Sequence, residues 1–203
     1  MKKIFLILMC CAICFHATEM VAASRDPVRG RKGMVVAVDP LAAHVGVKIL
    51  EQGGNAVDAA VAVGFALAVT YPGAGNIGGG GFMNIRFADG KAFTIDYREK
   101  APSAATRTMY LDSAGNFIPE KSTYGHLASG VPGSVAGMLL GLEKFGTMKR
   151  AAVITPAAQL AEQGFPLHYR LAKDLESMIP AFSKFPSSQY SKMIQSHLYG
   201  TYL

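Results

Sequence analysis

Arg98 is the residue in this chain whose type and position most directly suggest chemistry. It closes the stretch from Tyr71 to Arg98, YPGAGNIGGGGFMNIRFADGKAFTIDYR, in which a glycine-rich segment leads into two strand-like pieces. A guanidinium is planar and permanently charged, and its fork of N–H groups fits a carboxylate through two parallel hydrogen bonds. Such a charged pair contributes roughly 1.5–3 kcal/mol. Two readings of Arg98 stand open. It pairs with Asp96 or Glu99 on a surface, or it projects from a strand end into a cleft and grips an acidic ligand, strand ends being common homes for binding residues.

Other catalytic patterns fail on spacing or context. Gly73-Ala74-Gly75-Asn76-Ile77-Gly78 spells GxGxxG, with Asp96 about where a dinucleotide fold carries its ribose acid. However, an alanine-rich helical pattern precedes it, and Gly79, Gly80 and Gly81 follow where a helix N-terminus would have to meet the pyrophosphate. The spacing from Gly141 to Gly146 continues with Thr147-Met148, so it lacks the lysine and hydroxyl of a phosphate loop. No GxSxG or SxxK occurs, and His44, His126, His168 and His197 are isolated in sequence. Cys10, Cys11 and Cys14 all fall near the N-terminus. No cofactor site and no metal site is expected.

The elements that must hold Arg98 are legible in outline. Met34–Val38 is a short β-branched run. Asp39-Pro40 then starts a helix to Gln52, with Leu41, Val45 and Ile49 on its inner face and Gly53-Gly54 as its stop. Asn55 caps a second helix whose body, AVDAAVAVGFALAVT, is apolar all round and therefore expected to be packed on more than one side. Asp58 sits in its first turn, near the positive end of the helix dipole. Phe82–Phe87 and Ala92–Tyr97 alternate apolar and polar residues about Asp89-Gly90, which predicts a hairpin. Met83, Ile85, Phe87, Phe93, Ile95 and Tyr97 make its apolar face.

Residues 101–129 read as loops and short turns. Ser134 to about Phe145 reads as a helix with Val135, Met138, Leu139 and Leu142 inward, followed by helices from Thr155 to Gln163 and from His168 to Met178, the last closed by Pro180. The glycine run itself has two readings, close packing of the second helix on the sheet or direct shaping of a pocket.

Length and composition bound the rest. The chain has 203 residues, 50% hydrophobic and 17% charged, enough to bury a core. Lys2 and Lys3 precede an apolar run from Ile4 to Phe15, and Val21-Ala22-Ala23 supplies small residues before a cut, so residues 1–23 read as a secretory signal peptide. The run is too short to cross a hydrocarbon core, which takes about 20 residues. The product is expected to be exported, periplasmic or secreted, with no membrane attachment after cleavage and no thiol left for disulfide or zinc chemistry. The net charge of +6 is dispersed, with no basic run longer than Arg29–Lys32, which argues against a nucleic-acid partner. Residues 24–180 form one folded part, and 181–203 a divergent tail without clear period.

Four motifs together resemble the γ-glutamyltransferase family, also called γ-glutamyltranspeptidases or glutathione hydrolases: GGNAVDAAVA at 53–62, GNIGGGGFM at 75–83, DYREKAP at 96–102 and HLASGVPGSVAG at 126–137. The resemblance covers about Pro27 to Ile179, the front of the family's large subunit. It implies an α/β fold, the αββα sandwich of N-terminal-nucleophile hydrolases, incomplete in this chain. It also implies that Arg98 is the residue that holds the α-carboxylate of the γ-glutamyl group. In the family the nucleophile is the threonine at the start of a small subunit released by self-cleavage. Its hydroxyl attacks the γ-glutamyl amide, with its own amine as base, and the acyl-enzyme passes to water or to an amino-acid acceptor.

None of the threonines here lies in that context, and a family precursor is longer. The chain is therefore expected to lack its catalytic residue, to need a small subunit, and to be inactive alone while still recognising glutathione or another γ-glutamyl compound. Two alternatives remain, a non-catalytic γ-glutamyl-binding module and a subunit that assembles with a separately encoded second half.

Overall fold

The computed structural model describes residues 27–75 and 77–183, with side chains up to residue 180. The expected signal peptide at 1–23 and the tail beyond 183 lie outside the described residues. Pro27–Met34 carries neither helix nor strand, and a separate packed body begins at Val35. The β-branched run Val35–Val38 alternates as a strand would: Val35 and Ala37 pack on the core while Val36 and Val38 are exposed. It pairs with no other strand among the described residues.

Helix α1, Pro40–Glu51, starts where the Asp39 carboxylate accepts the Ala42 backbone N–H at 3.0 Å, with Pro40 in the first turn where its missing donor costs nothing. Its buried face is Ala42, Val45, Gly46 and Ile49. Leu41 is only half-buried, so the inner stripe is rotated by about one residue from the expected one. Gly53 then takes a φ of +91°, the left-handed conformation that ends the helix without a Cβ clash. His44 is exposed on the helix surface.

Helix α2, Ala56–Thr70, is the centre of the core. Val61, Ala62 and Ala66 are fully buried, and the helix packs on α1 from one side and on later helices from the others. Its start is a reciprocal cap: the Asn55 side chain accepts the Val57 and Asp58 N–H groups, and the Asp58 carboxylate accepts the Asn55 N–H at 2.7 Å.

The hairpin forms as expected. Strand β1, Phe82–Arg86, pairs antiparallel with β2, Ala92–Asp96, in the register Phe82 with Asp96, Met83 with Ile95 and Ile85 with Phe93. Phe87 and Lys91 close the turn through a 2.9 Å backbone hydrogen bond, and Gly90 supplies the positive φ of +89°. Residues 101–133 are loops and turns with a short helix α3, Pro119–Thr123, a 3-10 turn at His126–Ala128 and isolated antiparallel bridges of Leu111 with Phe117 and of Val131 with Lys100.

Helix α4, Ser134–Phe145, lies across the apolar face of the hairpin. The expected inner face needs correction, because Val135 is 38% exposed whereas Gly137 and Gly141 are buried. The hairpin side chains occupy the space those glycines leave: Met83 and Ile95 lie against Gly141, and the Tyr97 ring lies on Gly137. Phe145, at the helix end, meets Phe87 and Phe93 with ring centroids 5.8 and 5.0 Å away.

Helix α5 runs from Arg150 to Gln163, not from Thr155, with Pro156 inside it. Fully buried Val153 and buried Ala157 pack into the core across the proline, and that burial offsets the lost hydrogen bond to the carbonyl of exposed Ala152. Helix α6, Tyr169–Ser183, likewise passes through Pro180, where the orphaned carbonyl belongs to exposed Glu176. His168 precedes α6 and its Nδ1 accepts the Leu171 N–H at 3.1 Å, acting as a cap.

Candidate functional site

Three stretches of backbone converge beside the hairpin. The Gly79 carbonyl accepts the N–H groups of Gly133 and Ser134, both at 2.9 Å, and so satisfies donors at the start of α4. The Tyr97 N–H donates to Gly81, and Lys100 and Val131 exchange hydrogen bonds of 3.2 and 2.8 Å. Segments 79–81, 97–100 and 131–134 are thereby tied into one unit.

This close approach explains the glycines. A Cβ on Gly80 would lie 2.7 Å from the Arg98 Cα, and one on Gly133 would overlap the Tyr97 carbonyl oxygen. Within the glycine run, one glycine meets the second helix and another meets the backbone beside the cleft. Gly75 packs on Leu67 of α2, and Gly80 fits against the backbone that carries Arg98.

Arg98 follows β2 and lines an open cleft of about 700 Å³ together with Asp96, Lys100, Val131, Pro132 and Leu140. Its backbone N–H is held by the Asp96 carboxylate at 3.0 Å. Its guanidinium carbon stands 5.9 Å from the centre of the Phe82 ring, and no salt bridge to it is present among the described residues. The surface pairing with Asp96 or Glu99 is therefore not what this structure contains. Tyr97 also lines the cleft, its ring lying on Gly137 and near Gly81, and burial of that ring pushes its phenol pKa up. Its hydroxyl donates a long 3.5 Å hydrogen bond to the Phe82 carbonyl.

The chemistry open to this arrangement is recognition of an anion by a cation in a partly apolar cleft. The described residues contain no cluster of three His, Cys, Asp or Glu able to hold a metal. The GxGxxG segment leads into β1, not into a helix, so no helix N-terminus faces a phosphate there. No helix among the described residues is long and apolar enough to cross a membrane.

Two features escaped the sequence reading. Asp58 is fully buried and, beyond its cap, accepts the backbone N–H groups of Thr147 and Met148 and the Thr147 hydroxyl at 2.7 Å. It pins the α4–α5 junction to the start of α2, and Asn55 adds a 2.7 Å bond to the Phe145 carbonyl. Only the cap half of this role was readable, from Asn55 and Asp58 three residues apart. The second is the set Gly133, Gly137 and Gly141, whose four-residue spacing could have been read as a stripe admitting close packing.

A family model described as gamma-glutamyltranspeptidase matches residues 42–200. The glutathione hydrolase proenzyme of Pseudomonas sp. (strain A14) is 59% identical over 146 residues, covering 72% of this chain and 25% of that protein. The glutathione hydrolase proenzyme of Escherichia coli (strain K12) is 54% identical over 168 residues, covering 83% of this chain and 29% of that protein. The crystal structure of Helicobacter pylori gamma-glutamyltranspeptidase superposes with a TM-score of 0.77 at 49% identity, covering 82% of this chain and 47% of that one. This likeness bears out the expected α/β, N-terminal-nucleophile hydrolase-like fold class. The chain spans between a quarter and a third of the length of these curated relatives.

Proposed function

From the premise that this chain belongs to the gamma-glutamyltranspeptidase family, we propose that it forms the part of a γ-glutamyl-transferring or glutathione-hydrolysing protein that receives the glutamyl end of the donor. Arg98 holds the donor's α-carboxylate. The observation that carries this reading is that Arg98 lines the cleft with no carboxylate paired to its guanidinium among the described residues, its backbone fixed by the glycine segment.

The packed body that begins at Val35 carries this role, and residues 1–23 direct its export. The acyl-forming hydroxyl belongs to a threonine outside this chain. Two of the threonines inside it support that assignment, since the Thr147 hydroxyl is spent on Asp58 and the Thr94 hydroxyl on Asn84. The physiological donor is glutathione or a related γ-glutamyl amide, in keeping with the names its relatives carry.

Calorimetry with L-glutamate tests the carboxylate role. Arg98→Ala should weaken binding by at least tenfold, since a bidentate charged pair contributes roughly 1.5–3 kcal/mol. Arg98→Lys should restore little of it, because an ammonium keeps the charge and loses the planar fork. Unchanged affinity in Arg98→Ala would end the assignment. With a γ-glutamyl anilide, the chain alone should show no turnover, and turnover abolished by replacing one of its own threonines would refute the placement of the nucleophile.

A further inference from the structure

Arg98 sits between two carboxylates, Asp96 and Glu99, yet neither forms an ion pair with it among the described residues. Asp96 spends Oδ1 on the Arg98 backbone N–H. What meets the guanidinium is an aromatic face, the Phe82 ring, with the guanidinium carbon 5.9 Å from its centre.

Phe82 is not placed there by core packing. It opens β1 on the face opposite Met83 and Ile85, and its side chain is 57% exposed. A large aromatic ring left in solvent at a strand end, beneath a cation at the rim of a cleft, has little to gain from burial and something to gain from the cation. Its backbone is well fixed: Phe82 pairs with Asp96, and its carbonyl accepts the Tyr97 hydroxyl. The ring therefore projects from a fixed backbone two residues away, across the ladder, from the backbone that carries Arg98.

The kind of contact matters. A carboxylate partner would neutralise the guanidinium and occupy its N–H donors, and an incoming ligand would have to displace it. A π-face attracts the cation through the ring quadrupole and takes up no N–H donor. The fork stays charged, and its five donors remain free for a planar acid.

We propose that Phe82 is a positioning residue for Arg98, an aromatic platform that aims the guanidinium into the cleft while leaving its hydrogen-bonding edge open to the α-carboxylate of the ligand. This inference rests on the carboxylate role of Arg98 stated above. The test keeps the two apart by measuring L-glutamate affinity by calorimetry on the full chain and its variants, with the α-amide of glutamate as a probe lacking the carboxylate.

Phe82→Leu, which keeps an apolar side chain and removes the π-face, should weaken glutamate binding about two- to fivefold, the range for a cation–π contact at an exposed site. Phe82→Tyr should bind as the parent does, and Phe82→Leu should leave the α-amide affinity unchanged. Parent-like glutamate affinity in Phe82→Leu, alongside a large loss in Arg98→Ala, would overturn the platform and leave the Arg98 reading intact. Equal losses in Phe82→Leu and Phe82→Tyr, or an equal loss for the α-amide, would show a structural role and overturn it too. Full binding by Arg98→Ala, or none by the parent, would remove the premise itself.

Discussion

Replacing Asp58 should cost this fold more than any surface carboxylate, and the structure supplies the reason. Its two oxygens accept the Asn55 N–H at 2.7 Å, the Thr147 N–H at 2.9 Å, the Thr147 hydroxyl at 2.7 Å and the Met148 N–H at 3.1 Å, from a fully buried position. Asp58→Ala strands these donors together. A buried donor left without an acceptor costs about 1–3 kcal/mol, and entry of water would relieve some of them, so a loss of about 3 kcal/mol or more is expected. Asp58→Asn keeps one acceptor oxygen and turns an NH₂ toward N–H groups, for about 2 kcal/mol.

The pH dependence gives an independent check. Burial, the largest single influence on Asp58, pushes its pKa up, but the hydrogen bonds from the Thr147 hydroxyl and from the Asn55, Met148 and Thr147 backbones together bring it below its ordinary value of 3.8. A carboxylate with a depressed folded pKa binds fewer protons folded than unfolded. Its stabilisation is full above the unfolded value and fades as pH falls through the folded one. The stability gap between the parent and Asp58→Asn should therefore be wide at pH 7 and narrower at pH 3. Urea midpoints at the two pH values measure it. A gap below about 0.5 kcal/mol at pH 7, the scale of an unremarkable surface change, or a gap equal at both pH values, would refute the claim that this carboxylate works as a charged acceptor.

Two further outcomes follow from packing. Gly137→Ala would drive a Cβ into the Tyr97 ring, so it should destabilise the fold by about 1–3 kcal/mol, as overpacking does, and weaken glutamate binding because Tyr97 adjoins Arg98; thermal unfolding and calorimetry read the two effects. Thr70 is fully buried and its hydroxyl has no hydrogen-bond partner among the described residues, so Thr70→Val should raise the urea midpoint by an amount corresponding to about 1 kcal/mol.

Local rules read directly from the chain cover much of the fold. Asp39-Pro40, Asn55 with Asp58, and Asp89-Gly90 each specify a terminus or turn through contacts within a few residues, and each forms where expected. The alternation in β1 and β2 likewise made the apolar face of the hairpin legible, and with it the position of Arg98 at a strand end. The two prolines misled for the complementary reason. Local rules have Pro156 open a helix and Pro180 close one, but each lies inside a helix, and across Pro156 the burial of Val153 and Ala157 offsets the lost hydrogen bond.

Sequence by itself determined the helix caps at Asp39 and Asn55, the hairpin and the family, because those depend on neighbours in the chain or on motifs long enough to be specific. Tertiary structure alone decided that Arg98 faces a ring and not Asp96 or Glu99. It also decided that Gly137 and Gly141, not Val135, meet the hairpin, and that Asp58 reaches Thr147 and Met148. Each of those contacts joins residues well apart in the chain, Asp58 and Thr147 by 89 positions. No periodicity or propensity reports such a meeting before the elements pack.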